Sequence, residues 1–372
     1  MSDPSDLPEP DRLPGAPHPR DTAQLFGQAR AEADFLEAYT TGRLHHGWLL
    51  TGLRGTGKAT LAWRIARFLL ATPPVEDDGL FGAPPPPETL DIAYDHPVAT
   101  RMRALTEPGL FLLRRGPNDK GDRISDEIRV TEVRKLKGFF SLSAADGGRR
   151  VVIVDSADDL NVSSANAILK LLEEPPARTT LLLIAHQPAR LLPTIRSRCR
   201  ELRLGPLGPE PMRAALDQAG IALPDDTSAL TELSAGSVGE AVRLVNEGGL
   251  PIYAEIVAVL GSLPRLDRGR ALALAELAAA RSGEKFPLFL HLFDLSLSRL
   301  ARSAALGQPL PEAAPGEAAA FARLAPVPRA ARAWAEAAQA TTARMAHGRA
   351  VNIDPASLVL DTFFKLQATA DA

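Results

Sequence analysis

Three short strings in this chain hold residues whose types and spacing can handle phosphate. The first is Gly52-Leu53-Arg54-Gly55-Thr56-Gly57-Lys58. Glycines so spaced let backbone N–H groups face a phosphate at a helix N-terminus, and a closing lysine adds a cation. Gly52, Gly55, Thr56, Gly57 and Lys58 are therefore candidate nucleotide-binding residues. The pattern stops one position short, because Ala59 stands where a Ser or Thr hydroxyl would ligate Mg²⁺. Thr60 is one residue late and turned about 100° round the helix, which makes it a poor substitute. The competing reading is a glycine turn kept for packing alone. The second string, Val151-Val152-Ile153-Val154-Asp155, puts Asp155 after an apolar run, where its carboxylate could reach a metal through water. Ser156 follows, so no adjacent carboxylate polarises an attacking water. Asp158 and Asp159 suit solvated or capping roles better than that of a base. The third string, Thr194 to Arg200, carries Arg196, Arg198 and Arg200, more arginine than a solvated turn needs, although a basic surface turn is the plain reading.

These residues need elements to position them. Trp48-Leu49-Leu50-Thr51 predicts a short strand running into the glycine turn, and Thr60 to Leu70 a helix with Leu61, Ile65, Phe68 and Leu69 on one face. Gln24 to Tyr39 reads as a helix ending near Gly42. Phe111 to Leu113, Val151 to Val154 and Leu181 to Ile184 read as further strands, with helices over Val130 to Phe140 and Ser164 to Glu174, the latter stopped by Pro175-Pro176. Strands alternating with helices predict an α/β doubly wound parallel sheet with ligands at the carboxyl ends of its strands. Prolines at 4, 8, 10, 14, 17 and 19 predict a flexible tail over residues 1–22, and Pro84 to Pro87 an insertion near 73–97 within an α/β domain spanning 23–205. Beyond Gly205-Pro206, Ala, Leu, Arg and Glu dominate, which predicts a small helical domain over 206–250 and a larger one over 251–366. A surface loop leading into a helix is expected at Ala313 to Arg323. Phe286, Leu288, Phe289, Leu292, Phe293, Leu295 and Leu297 are denser than one helix face needs for its own core, so part of that surface is expected to meet other subunits.

With 42 Lys and Arg against 45 Asp and Glu, nothing at whole-chain level marks a polycation that grips DNA alone. A local patch of Arg101, Arg103, Arg114 and Arg115 is the alternative basis for DNA binding. One cysteine, Cys199, rules out a disulfide framework and a cysteine-based zinc site; no metal site is expected, and a reducing cytoplasm is the natural compartment. Cys199 itself reads as a small packed residue. His45-His46 has no further ligand at metal spacing and suits a loop role, and His186 reads as a strand-end histidine. Neither a leader over residues 1–20 nor an apolar run of about 18 residues is evident, so no membrane contact is expected.

Taken together, Gly52 to Lys58, Val151 to Asp155 with Ala165-Asn-Ala-Ile-Leu-Lys-Leu-Leu-Glu-Glu-Pro-Pro176, and Leu192-Pro-Thr-Ile-Arg-Ser-Arg-Cys199 resemble the delta-prime and gamma/tau branch of bacterial clamp loaders. Ala235 to Arg243 resembles that family's second-sensor helix, and His186 falls near its first sensor. The resemblance implies an AAA+ domain, a small helical lid and an all-helical collar. It implies work inside the DNA polymerase III clamp loader with gamma/tau and delta subunits, reaching the sliding clamp and primer-template DNA through that complex. The departures matter equally. Ala59 replaces the metal hydroxyl, Ser156 the catalytic Glu, and Gly239 the sensor arginine, while the cysteines of a zinc module are missing. Such a chain is expected to bind ATP or ADP weakly at best, with Mg²⁺ coordination impaired. Arg198 matches the residue that in this family reaches into a neighbour's ATP site. A degenerate site (Gly52, Gly55, Thr56, Gly57, Lys58, Asp155) beside an intact Arg198 resembles the delta-prime subunits; the alternative is a self-sufficient P-loop ATPase such as the gamma/tau motor.

Overall fold

The computed structural model describes residues 7–72, 85–141, 148–223, 227–280 and 285–371. By contact the chain divides into two units, residues 1–220 with 237–239, and residues 221–236 with 240–372. In the first, α1 (Ala29–Thr40) leads to β1 (Gly47–Thr51), α2 (Lys58–Ala71), α3 (Pro97–Arg103), β2 (Leu110–Arg114), α4 (Val130–Ser141) and β3 (Arg150–Asp155). Then come α5 (Val162–Glu173), β4 (Thr179–Ile184), the short α6 (Pro193–Arg196), β5 (Arg200–Arg203) and α7 (Pro209–Gln218).

The strands form one parallel sheet in the order β2-β3-β4-β1-β5. Because side chains alternate across a strand, its apolar runs feed two cores. Trp48, Leu50, Val151, Ile153, Leu182, Ile184 and Leu202 pack on one face with Phe35 of α1 and Leu61, Ile65 and Phe68 of α2. Leu49, Val152, Val154, Leu181 and Leu183 pack on the other with Val133 and Leu136 of α4 and Ile168 and Leu172 of α5. This is the doubly wound sheet expected from the sequence, and it brings the carboxyl ends of β1, β3 and β4 to one edge. The Asn161 side chain caps α5 by accepting from Ser164 N at 3.0 Å, and Pro175-Pro176 ends it. The helix expected from Gln24 starts later, at Ala29, since Gly27 takes a φ of 71° that no helix accommodates.

Residues 7–22 correct the expectation of a flexible tail; residues 1–6 lie outside the described residues. His18 is buried against Trp63, and its Nε2 sits 3.1 Å from the Asp11 carboxylate. Arg20 pairs with Glu9 at 2.6 Å. Proline excluded helix and strand, but prolines also limit the entropy an ordered arm must lose, and these ion pairs hold it down. Of the expected insertion, 73–84 lie outside the described residues and 85–96 contain no helix or strand. The α7 helix belongs to the first unit, so the division by contact falls at Gly220 and not at the change in composition near Gly205.

In the second unit, α8 (Thr227–Leu233) is followed by α9 (Val238–Asn246), whose first residues go with the first unit, then α10 (Gly249–Ser262), α11 (Arg268–Ala278), α12 (Lys285–Leu306), α13 (Glu317–Leu324), α14 (Ala330–Ala350) and α15 (Pro355–Asp371). The central α12 packs against α10, α11, α13 and α14. Surrounded in this way, it buries Phe286, Leu288, Phe289, Leu292, Phe293 and Leu297 inside its own unit. That corrects the expectation that this apolar density is spare surface for neighbours. The expected loop leads into α13 with Glu312, Pro315 and Gly316 exposed, but Ala313 and Ala314 are buried within it, where Glu317 turns inward to Arg299 at 2.8 Å and to the Tyr253 hydroxyl.

Candidate functional site

The chain leaves β1 at Thr51 and turns through three glycines with positive φ, 137° at Gly52, 79° at Gly55 and 95° at Gly57, before α2 begins at Lys58. Glycine is required at Gly52 and Gly55. A Cβ on Gly52 would lie 2.4 Å from Leu204 O, and one on Gly55 would lie 2.3 Å from Ser237 Oγ. The turn is anchored from far along the chain, with Ser237 Oγ donating to Arg54 O at 2.8 Å and Gly239 N to Gly55 O at 3.2 Å. Any side chain at Gly239 would press on the Gly55 backbone, 3.1 Å from its Cα. That close approach gives a physical reason for glycine at this position.

Lys58 is buried, and its ammonium donates to the carbonyls of Gly52 at 2.7 Å and Leu53 at 2.6 Å. The cation expected to face phosphate is thus bonded to its own turn. Burial brings it down to about 8, against the charges of Asp158 and Asp155, which favour the ammonium. Thr56 Oγ1 donates to Leu53 O at 2.9 Å, so the loop hydroxyl is also turned inward.

Register places Arg114 beside Asp155 at the carboxyl ends of β2 and β3. Burial of its carboxyl, then the nearby charges of Asp11 and Asp159, push Asp155 up to about 7, although the residue as a whole is half-buried. Ala59 adds no oxygen beside Asp155, so the loop lacks the hydroxyl ligand that a Mg²⁺ centre of this pattern uses. Asp11 of the N-terminal arm reaches this edge and ion-pairs with Arg114. Burial opposes its charge, but His18 and Arg114 hold it below the ordinary carboxylate value. Nothing local in the sequence flagged Asp11, whose partner Arg114 is a hundred residues away; the only signal was an acidic residue among prolines.

Asp158 accepts from the backbone N–H groups of His186 and Gln187, the latter at 3.2 Å, and Asp159 pairs with Arg115 at 3.3 Å. Both carboxylates have structural partners. His186 follows β4, where burial and the charge of Lys58 bring it down to about 4, so its ring is neutral beside the loop.

The third string forms α6 and the turn into β5. Arg198 is half-buried there, its side chain 39% exposed, with Nη2 3.0 Å from the Glu173 carboxylate and Nη1 donating to Thr194 O at 3.1 Å. Both partners lie at the surface, at the end of α5 and on α6. Arg196, which is exposed, makes no side-chain hydrogen bond or ion pair among the described residues. The structure brings Lys58, Asp155 and His186 to one edge of the sheet and leaves Arg198 outside their interactions.

The remaining candidates have structural partners. His45 bonds to Gly47, and His46 Nε2 lies 2.9 Å from Leu172 O, with the two rings stacked at 4.3 Å. Burial pushes the Cys199 thiol up to about 12, which suits packing and not nucleophilic attack. Arg101 pairs with Glu107 at 2.8 Å, Arg103 covers the Tyr94 ring, and Arg114 and Arg115 are held by carboxylates. Arg101, Arg114 and Arg115 are neutralised by carboxylates within the fold, so the four arginines do not form a free phosphate-binding stripe. Among the described residues no single helix is long and apolar enough to cross a membrane.

The family model described as DNA polymerase III, delta subunit, matches residues 27–208. The delta-prime subunit of DNA polymerase III from Pseudomonas aeruginosa is 37% identical over 254 residues, covering 67% of this chain and 68% of that protein. The delta-prime subunit from Escherichia coli K12 is 34% identical over 213 residues, 56% of each chain. The tau subunit of Salmonella typhimurium DNA polymerase III is 28% identical over 281 residues, 72% of this chain but 39% of that protein.

Proposed function

This chain belongs to the delta-prime subunit family of DNA polymerase III, and we propose that it works in the clamp loader by lending Arg198 to the ATP site of a neighbouring subunit, not by hydrolysing ATP itself. One observation carries the reading. The chain's own phosphate loop is closed on itself, with Lys58 bonded to loop carbonyls and no hydroxyl at Ala59, whereas Arg198 stands partly exposed on two surface partners.

Hydrolysis at a P-loop needs a metal held by oxygen ligands and a positioned water. Ala59 and Ser156 supply neither well. Arg198 suits the complementary task. Its guanidinium stays charged and its planar fork can meet two phosphate oxygens as negative charge builds on them. An arginine that reaches a site only when subunits close favours the transition state over the ground state. The tether to Glu173 and Thr194 is of the exposed kind worth under about 1 kcal/mol, so leaving it costs little. The partners under this reading are gamma/tau and delta subunits, with the sliding clamp and primer-template DNA met through the assembly.

The test is ATP turnover by the purified chain. Release of phosphate no faster than background is expected, with or without primed DNA. Turnover near the usual kinase range of about 1–100 s⁻¹, abolished by Lys58→Ala, would make the chain a motor in its own right.

A further inference from the structure

Away from the phosphate loop, a cavity of about 190 Å³ lies among the residues before α1, α2, the segment before α3, and α3 itself. We propose that this cavity binds a small tetrahedral oxyanion of the phosphate class, held by Arg67 and Arg103. The inference is independent of the role given to Arg198.

Arg67 carries the argument. It is 8% exposed, and its Nη2 donates to Arg20 O at 2.9 Å. Its Nε is buried with no acceptor, and no carboxylate among the described residues comes within ion-pair distance of it. Arg64, one turn earlier on α2, shows what this environment provides when a guanidinium is satisfied. It bonds to Glu32 at 2.8 Å, Asp91 at 2.9 Å and Ala23 O at 2.8 Å. A buried guanidinium with an open donor is costly unless something accepts from it.

The rest of the lining leaves that place for an anion. Arg103 is half-buried on the cavity wall, 3.8 Å above the Tyr94 ring, and donates to Tyr94 O and to Thr100 Oγ1, with no carboxylate partner among the described residues. The two lining carboxylates face other cations: Asp91 is held by Arg64, and Asp21 lies 3.9 Å from Arg20. Burial, then the charges of Arg64 and Arg103, lower Arg67 from its ordinary value, and the charge of Asp21 offsets them only in part. At about 190 Å³ the cavity is smaller than the 300–1,000 Å³ or so usual for drug-sized ligands, so it suits a single phosphate group and does not enclose a whole nucleotide. Guanidinium forks match phosphate oxygens in pairs. The oxyanion could be free phosphate or a phosphodiester of a nucleic-acid backbone.

The experiment titrates the full chain with inorganic phosphate at constant ionic strength, by calorimetry and by phosphorus NMR. Saturable one-site binding is expected, weakened about 10- to 100-fold in Arg103→Gln and in Arg67→Lys, which keeps the charge but loses the fork. Arg103→Gln changes a half-buried residue, so it tests the idea even if Arg67→Lys unfolds. No saturable binding, or unchanged affinity in the Arg103 variant, overturns the proposal. So does loss of binding in Lys58→Met alone, which would put the anion on the phosphate loop. A second arm adds a single-stranded oligonucleotide without terminal phosphates. Displacement of phosphate that depends on Arg103 identifies a backbone diester as the source, and its absence identifies free phosphate.

Discussion

The phosphate loop and the arginine turn carry the same chemical vocabulary, a cation beside backbone and carboxylate groups, but the fold treats them in opposite ways. Lys58 is buried, bonded to its own loop and brought down to about 8. Arg198 is partly exposed and rests on a surface carboxylate and one carbonyl. The loop spends its polar groups on holding its own shape, and the turn keeps its polar group available. A motif's function in a subunit therefore depends on whether its donors are satisfied at home.

The comparison makes unequal demands on stability. Gly52→Ala should cost most, because the new Cβ meets Leu204 O at 2.4 Å in a backbone region that only glycine adopts readily. We expect a loss of roughly 2–4 kcal/mol in urea unfolding. A change within about 0.5 kcal/mol would show that the loop is loose and could reopen toward phosphate. Ser237→Ala removes the hydroxyl that bonds Arg54 O at 2.8 Å and should cost about 1 kcal/mol in the same assay. An unchanged midpoint would mean that this anchor does not hold the turn.

Titration sharpens the contrast. Lys58 sits below its ordinary 10.5, so the stability linked to it is complete above that pH and is lost as pH falls through about 8. Urea unfolding across this interval should show stability rising with pH, with a shallower slope in Lys58→Met. A slope that Lys58→Met leaves unaltered would mean that the ammonium is not desolvated. On the other side, Glu173→Gln should change stability by under about 0.5 kcal/mol, since exposed pairs contribute little. A larger loss would show that Arg198 is fixed in place and not free to leave.

How much of this was readable in advance follows from the range of the forces involved. Apolar runs such as Val151 to Val154 and Leu181 to Ile184 declared buried parallel strands because both faces of the sheet are covered. Arg200-Glu201-Leu202-Arg203 did not look like a strand, since an edge position buries only Leu202. Lys58 and Asp155 were named from spacing alone, but not the closure of the loop by Ser237 and Gly239, which depends on contacts some 180 residues apart. Prolines hid the packed arm around Asp11 and His18 for the same reason. In α12 the apolar residues were read correctly as too many for one face, but their partners proved to be neighbouring helices of the same unit.

The central claim is that Arg198 acts outside its own subunit. Its most direct test is ATP hydrolysis by the reconstituted loader with clamp and primed DNA, comparing wild-type, Arg198→Ala and Arg196→Ala chains assembled to the same extent. Arginine fingers contribute about 10³–10⁵ in rate at the site they serve. Arg198→Ala should therefore silence that one site and lower total turnover partially, with assembly intact and Arg196→Ala close to wild type. Full activity in Arg198→Ala, or a loss found only in Arg196→Ala, would contradict the account.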